Sequence, residues 1–311
     1  MVSDKVVTFL AVTVLTLVSS FCSVANATGP ATSSPTTKKV VTVNQNKTTL
    51  PPVTSDQDPA FHINFAVSKS TSLVDFQDGT RRDGMDYQLA PALVTSYGVL
   101  STRIAYSQNL REDSPATALD DSDWADAPIT FAFNPTKWFK QSPITIAMTP
   151  SVTAVMPISQ ISIRRDQLQT TLIGGLNFKF SEGGVIAKKD GAWVVGVTLT
   201  AGRSFHAYQE NINGSVLNQY LSNQALNLGY TYKVVSFTVD YAHKTRWTYQ
   251  GGVRDSFELS EEIGWAINDT LSLAVGHSNG GSSLKPDGSE SNFSVYNEND
   301  STVYVQMGVS F

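Results

Sequence analysis

Ser301-Thr302-Val303-Tyr304-Val305-Gln306-Met307-Gly308-Val309-Ser310-Phe311 ends the chain. Val303, Val305, Met307, Val309 and Phe311 recur at period two, the spacing that puts alternate side chains of an extended strand on one face. The other face, from Thr302 through Tyr304, Gln306 and Gly308 to Ser310, is small or polar. A wholly apolar strand face with no loop or helix after it needs another apolar phase against it, and lipid is the simplest.

This strand resembles the C-terminal signal strand of Gram-negative outer-membrane β-barrels. The resemblance is specific at this one motif and extends over residues 60–311 as architecture. It implies an all-β chain folded as a transmembrane antiparallel up-and-down β-barrel in the outer membrane of a Gram-negative bacterium. Its implied partners are outer-membrane lipid and lipopolysaccharide, and a barrel-assembly machinery that reads the terminal strand.

The opposite end of the chain points to export. Lys5 precedes an apolar run over residues 6–18, and Ala25-Asn26-Ala27 has the small-x-small pattern of signal-peptidase cleavage. Residues 1–27 therefore read as a signal peptide cleaved near Ala27. The run is too short to cross a bilayer as a helix, and no later stretch approaches the roughly 18 uninterrupted apolar residues that such a helix needs. Cys22, the one cysteine, lies inside the signal. The mature chain is expected to have neither a disulfide nor a thiolate metal site.

Charged residues make up 16% of the chain, against roughly a quarter in soluble domains. Ser, Thr, Asn and Gln fill the gap, a mixture suited to a wall with lipid on one side and water on the other. The net charge of -5 argues against a nucleic-acid partner, which wants a basic stripe.

Residues 28–59 are rich in Thr, Ser, Pro and Val without periodicity and read as a disordered periplasmic linker. From there the chain alternates in about twelve segments separated by Gly, Asn, Asp and Ser clusters. They fall at 61–68, 87–97, 100–107, 128–138, 144–156, 168–180, 193–202, 217–232, 235–247, 257–267, 270–278 and 302–311. With both ends on the periplasmic side, connections should alternate between long outer loops and short inner turns. Residues 69–86, 108–127, 158–167, 204–216, 249–256 and 279–301 fit the outer set, and 139–143, 233–234 and 268–269 the inner one. Residues 181–191 are the exception, long where a short turn is expected. Tyr97, Trp138, Phe180, Trp193, Tyr232, Trp265 and Phe311 fall at predicted periplasmic strand ends, where an interfacial girdle belongs. A soluble β-sandwich also alternates, but it buries its apolar face in a shared core and need not end on such a strand.

The same period turns mostly small polar residues inward, among them Asn64, Thr149, Ser151, Asn177, Thr200 and Asn227. Nothing there fills a barrel of this size, so a porin-like channel for passive diffusion of small polar solutes is the leading inference. The alternative is a structural or surface-interaction barrel closed by residues 28–59 or by an inward loop. Charged lumen candidates are Asp240, Lys244 and Arg246 on one strand and Glu258 and Glu262 on its hairpin partner, with Arg103 and Lys179 elsewhere in the wall. Opposing Arg246 with Glu258 keeps both inside. Mixed signs there set a transverse field that orients polar solutes, or the residues simply satisfy one another as cross-strand pairs. Glu261 points outward in this register, which asks for a bulge beside Glu262 or a place above the membrane.

Gly276-His277-Ser278-Asn279-Gly280-Gly281 is the one stretch that resembles an enzyme. Outer-membrane phospholipases and lipid A deacylases are similar barrels with a His and a Ser near the rim, the phospholipase motif being His-x-Ser-Asn-Gly. Neighbours on a strand point oppositely, so His277 and Ser278 make a base and nucleophile only if the strand has already ended. Asn279-Gly280-Gly281 reads as such a loop rim, and no catalytic residue is assigned. His62, His206 and His243 have no ligand spacing, so no metal or other cofactor is expected. The acidic run from Glu112 to Asp121, with Asp123 and Asp126, is a calcium candidate in an outer loop, and its plainer reading is a solvated run.

Overall fold

The last strand pairs with the first. The structure is a computed structural model that describes residues 61–73, 83–111, 122–139, 144–182, 191–284, 291–297 and 300–311. Its antiparallel segments form one 15-stranded sheet. In chain order they are β1 (Phe61–Ser72), β2 (Asp83–Thr95), β3 (Gly98–Thr102), β4 (Ile104–Arg111), β5 (Ser122–Ala125), β6 (Ala127–Phe133), β7 (Thr136–Trp138) and β8 (Ile144–Met156). A short π-helix, Ile161–Arg165, follows, and then β9 (Leu168–Glu182), β10 (Gly191–His206), β11 (Asn218–Tyr232), β12 (Val235–Thr248), β13 (Val253–Ala266), β14 (Leu271–Ser282) and β15 (Thr302–Ser310). β3 with β4 forms one stave, and β5 with β6 and β7 another, so the sheet is a closed barrel of 12 strands. The expected signal (1–27) and linker (28–59) lie outside the described residues, as do 112–121 and 183–190.

The breaks within staves have local causes. Beside the gap between β3 and β4 at Arg103, the ladder passes Pro91, which lies between Leu89, partner of Ile104, and Ala92, partner of Ser101. Proline has no N–H to give the ladder. Between β5 and β6, Asp126 turns aside to accept the backbone N–H groups of Ile158 and Ser159, both at 3.0 Å, and the Ser162 hydroxyl. That residue fastens the loop carrying the π-helix to the rim.

Closure is made by β1 and β15, in register from Asn64 with Ser310 to Ser72 with Thr302. Ile63 and Phe311 extend the seam by exchanging both backbone hydrogen bonds, at 3.1 and 2.9 Å. Stepping from Asn64 across every ladder in turn returns to β1 displaced by about 16 residues. With a rise of about 3.3 Å per residue and strands about 4.8 Å apart, that shear tilts the strands by about 40–45° and gives a backbone radius of about 12 Å.

The two faces of the wall separate by parity. Val305 and Met307 are 48% and 45% exposed on the outside, and Tyr304, which precedes them, is 2% exposed on the inside. Leu89, Ile129, Leu176, Leu228 and Ile263 continue the exposed outer band. Tyr97, Trp138, Tyr232, Trp265 and Phe311 are exposed at the inner strand ends, forming the girdle. Among the described residues the inner surface has one small apolar cluster, Ala92, Val94 and Val99, low on β2 and β3.

Several strands run further outward than the alternation indicates. β1 continues to Ser72, β2 begins at Asp83, β4 reaches Arg111, β10 reaches His206, β13 begins at Val253 and β14 reaches Ser282. At these outer ends polar residues occupy both faces, so the period fades while the backbone ladder continues. Inner turns are tight where described. Lys233 takes a left-handed φ of 51° in the Lys233–Val234 turn, and Asn268 Oδ1 accepts the N–H groups of Thr270 and Leu271.

Because the apolar face of β15 is outside, Met307→Arg should destabilise the barrel by about 2–4 kcal/mol, the cost of a cation at mid-bilayer. Gln306→Arg, one residue away and facing the lumen, should change stability little. Urea unfolding of barrels refolded in lipid vesicles measures both.

Candidate functional site

The charged lumen residues are positioned by the β12–β13 hairpin. Its turn is five residues long: Thr248 N–H donates to Gly252 O at 2.8 Å, Gly251 N–H to Thr248 O at 3.0 Å, and Thr248 Oγ1 accepts the Gly252 N–H. Gly251 sits at φ 81°, a conformation glycine adopts without steric cost. So short a turn starts β13 at Val253 and sets the register: Arg246 faces Arg254, Lys244 faces Ser256, Ala242 faces Glu258, Asp240 faces Ser260 and Thr238 faces Glu262. The expected opposition of Arg246 and Glu258 is therefore corrected. Both are on the inner face, but the cross-strand neighbour of Arg246 is Arg254, because β13 begins four residues earlier than its alternation shows.

These side chains are ordered by height. At the outer mouth stand Arg246 and Arg254, the latter donating to Val216 O at 3.2 Å and Asn218 Oδ1 at 3.4 Å. Below them Lys244 Nζ meets Glu258 Oε2 at 2.5 Å, a diagonal pair. Deeper still are two carboxylates: Asp240 accepts from Asn227 Nδ2, and Glu262 accepts the Tyr304 hydroxyl at 3.0 Å. Tyr304 reaches Glu262 by lying flat across Gly276 of the intervening strand. A Cβ on Gly276 would sit 2.3 Å from the Tyr304 ring.

The remaining candidates lie elsewhere. Arg103 is inside the stave formed by β3 and β4, six staves from β12 in a ring of 12, so it faces Asp240 across the full diameter of the lumen. Once the tilt is allowed for, the two are at about the same height. Asp86 of β2 stands on the same side as Arg103 and accepts the Ser107 hydroxyl at 2.6 Å. Lys179 is apart from this group, exposed near the inner end of β9 between Ala147 and Gly196. Val303, Val305, Met307 and Val309 form the outer face of β15, and Phe311 is its exposed terminus.

His277 and Ser278 are not brought together. β14 continues through both to Ser282, where a loop rim was expected, so His277 is on the outer face and Ser278 on the inner one. The residue that shares the face of His277 two positions on is Asn279, which has no nucleophilic hydroxyl. Glu261 points outward without a bulge, as the β13–β14 register is unbroken, and it meets His277 Nδ1 at 3.2 Å. Of the acidic run, Asp123 and Asp126 are described. Asp123 accepts the Gln160 N–H at 3.1 Å, so both carboxylates hold the loop after β8.

Asn227 was expected on this surface, whereas Arg254, Asp86 and the hydrogen-bonding role of Tyr304 were not singled out by periodicity. Tyr304 was legible as inward but not as a hydrogen-bond donor to β13. The glycine at 276, two strand positions before Ser278 on the inner face, is the signal for a large ring lying over it.

No family model matches the sequence, and no curated protein does. In fold the chain is similar to an outer membrane channel from Pseudomonas putida F1, at 10% identity over 83% of this chain and 97% of that one, with a TM-score of 0.50. Lesser likenesses are to the NanC porin, at 11% identity over 80% and 98% with a TM-score of 0.43, and to the KdgM porin in complex with disordered oligogalacturonate, at 8% over 80% and 99% with a TM-score of 0.39. The first of these shows the fold.

Gly276→Val should drive the Tyr304 ring off the wall, break its bond to Glu262 and cost about 1–3 kcal/mol, the range for overpacking. Adding Tyr304→Ala should restore part of that loss, so the double variant unfolds at higher urea than Gly276→Val alone.

Proposed function

We propose that the protein is a porin-like channel of a Gram-negative outer membrane, through which small polar solutes diffuse passively. One observation carries this reading: a lumen of about 12 Å backbone radius is lined by Ser, Thr, Asn and Gly, with Arg103 on one wall opposite Asp240 and Glu262 on the other. Opposed charges across a narrow aqueous passage make a transverse field, which turns a dipolar solute and replaces part of its hydration as it passes. Arg246 and Arg254 at the outer mouth draw anionic groups inward by long-range attraction. Lys244 and Glu258 neutralise one another below them, and Lys179 marks the inner exit. In this reading lipid and lipopolysaccharide surround the apolar band, and β15 is the strand that the barrel-assembly machinery engages.

Reconstitution into planar bilayers should give stepwise conductance. Removing two lumen carboxylates with Asp240→Asn and Glu262→Gln should move the reversal potential in a salt gradient toward anions, and Arg103→Gln should move it toward cations. Correctly folded barrels that never conduct would sink the channel, and an unchanged reversal potential in both variants would reduce the charges to structural pairs.

A further inference from the structure

The rung of β12 and β13 that sets Arg246 against Arg254 puts like charges directly opposite one another, an arrangement that destabilises a strand pair. Both residues are on the inner face and both are exposed. The register cannot slip to relieve them, because a shift of one residue would turn Phe257 and Leu259 into the lumen. Arg254 donates to Val216 O and Asn218 Oδ1, at the start of β11 and just before it, on the far side of β12. To reach them its side chain crosses β12, the strand that carries Arg246, so the two guanidinium groups share one part of the mouth.

The described carboxylates of this part of the rim are engaged elsewhere. Glu258 takes Lys244 at 2.5 Å, Asp166 takes Arg165 at 2.8 Å, and Glu210 accepts the Gln250 amide at 2.9 Å. Asp255 is turned to the outer face, where it accepts the Thr245 hydroxyl at 2.6 Å. Among the described residues Arg246 has no hydrogen-bond or ion-pair partner. Arg254 commits part of its fork to two neutral oxygens, and Arg246 commits none of its own. Two positive charges therefore stand side by side at the mouth with donors to spare.

We propose that Arg246 and Arg254 together form a binding site for a doubly charged oxyanion, and that the solutes selected by the channel carry such a group. A guanidinium gives parallel N–H donors to two oxygens of one carboxylate, phosphate or sulfate group, in charge-assisted bonds stronger than neutral ones. Two guanidiniums on one rung offer two such forks, and the two charges of the anion cancel the repulsion that the rung otherwise carries. Chloride has no pair of oxygens to fill a fork, and a monoanion leaves one arginine unanswered. The lumen side of the site is open to water, so the bound anion can leave by exchange, as passage requires. The choice of solute rests on the channel reading; the binding of the anion does not.

Sulfate is the probe, since it is doubly charged at neutral pH and carries no other recognition group. Added in millimolar amounts to the outer side of barrels in planar bilayers, at an ionic strength held constant with chloride, it should lower the conductance saturably. Arg246→Gln and Arg254→Gln should each raise the half-blocking concentration about tenfold, the loss of one charge-assisted fork. Lys69→Gln, on the outer face of β1, should leave it unchanged. Arg246→Lys keeps the charge and loses the fork, so it should hold the wild-type reversal potential while also raising the half-blocking concentration. In urea, sulfate should raise the unfolding midpoint of the wild type more than that of Arg246→Gln or Arg254→Gln. Block left intact by Arg246→Lys, or equal midpoint shifts in wild type and both glutamine variants, overturns the site and returns the arginines to long-range attraction. Barrels that conduct without saturable block overturn this inference alone. Barrels that never conduct but show the arginine-dependent midpoint shift keep the site and overturn the channel.

Discussion

The ladder between β1 and β15 is the interaction on which the rest of the wall depends. An open sheet of this length would leave two rows of unpaired N–H and C=O groups, which water or another chain can satisfy but hydrocarbon cannot. Pairing from Asn64 with Ser310 up to Ser72 with Thr302, extended by Ile63 and Phe311, removes both edges at once. It also settles every side chain's face, since a slip of one residue anywhere in a ladder would turn that strand's apolar set into the lumen. The apolar parity of β15 is thus both the reason the seam closes in this register and the reason it faces outward.

Closure also creates the lumen's electrostatics. Arg103 and Asp240 are far apart in the chain and sit on strands that never touch, yet a ring of 12 strands sets them across one diameter. Within one side, the hairpin turn decides which charges meet. The five-residue turn at Thr248 to Gly252 brings two arginines together at the rim, where water and the Asn218 and Val216 oxygens accommodate them. The same turn leaves Glu258 within reach of Lys244. Tyr304 adds a link across a third strand, available only because Gly276 leaves room for its ring.

Strand identity and facing were legible in the sequence because both follow from a period of two, which a wall between lipid and water imposes residue by residue. All twelve alternating segments correspond to staves, and Ile144–Met156 matches to the residue. Outer strand ends were not legible, since above the apolar band nothing forces Lys69 or Arg254 to differ from its neighbours. Cross-strand partners were not legible either: they depend on turn length, and the missing start of β13 displaced Arg246 from its true neighbour. Nor was the opposition of Arg103 and Asp240, a property of the closed ring rather than of any segment. Residues 291–297 carry no alternation, so only the contacts of Phe293 with Tyr241 and Phe257 and of Tyr296 with His277 reveal that they lie against the outer wall.

Glu261 shows how rigid this arrangement is. A carboxylate in the outer band is costly, and one extra residue inserted beside it would carry it inside at the price of reversing Ile263 and Trp265 below it. The chain keeps the parity and answers the charge locally, placing His277 in the directly opposite rung, with Tyr296 stacked on its imidazole. Compensation of one residue by pairing is cheaper than turning the apolar face of half a strand inward. The same local pairing is made by His243 with Gln224 and Asp255 on the outer face of the neighbouring strands.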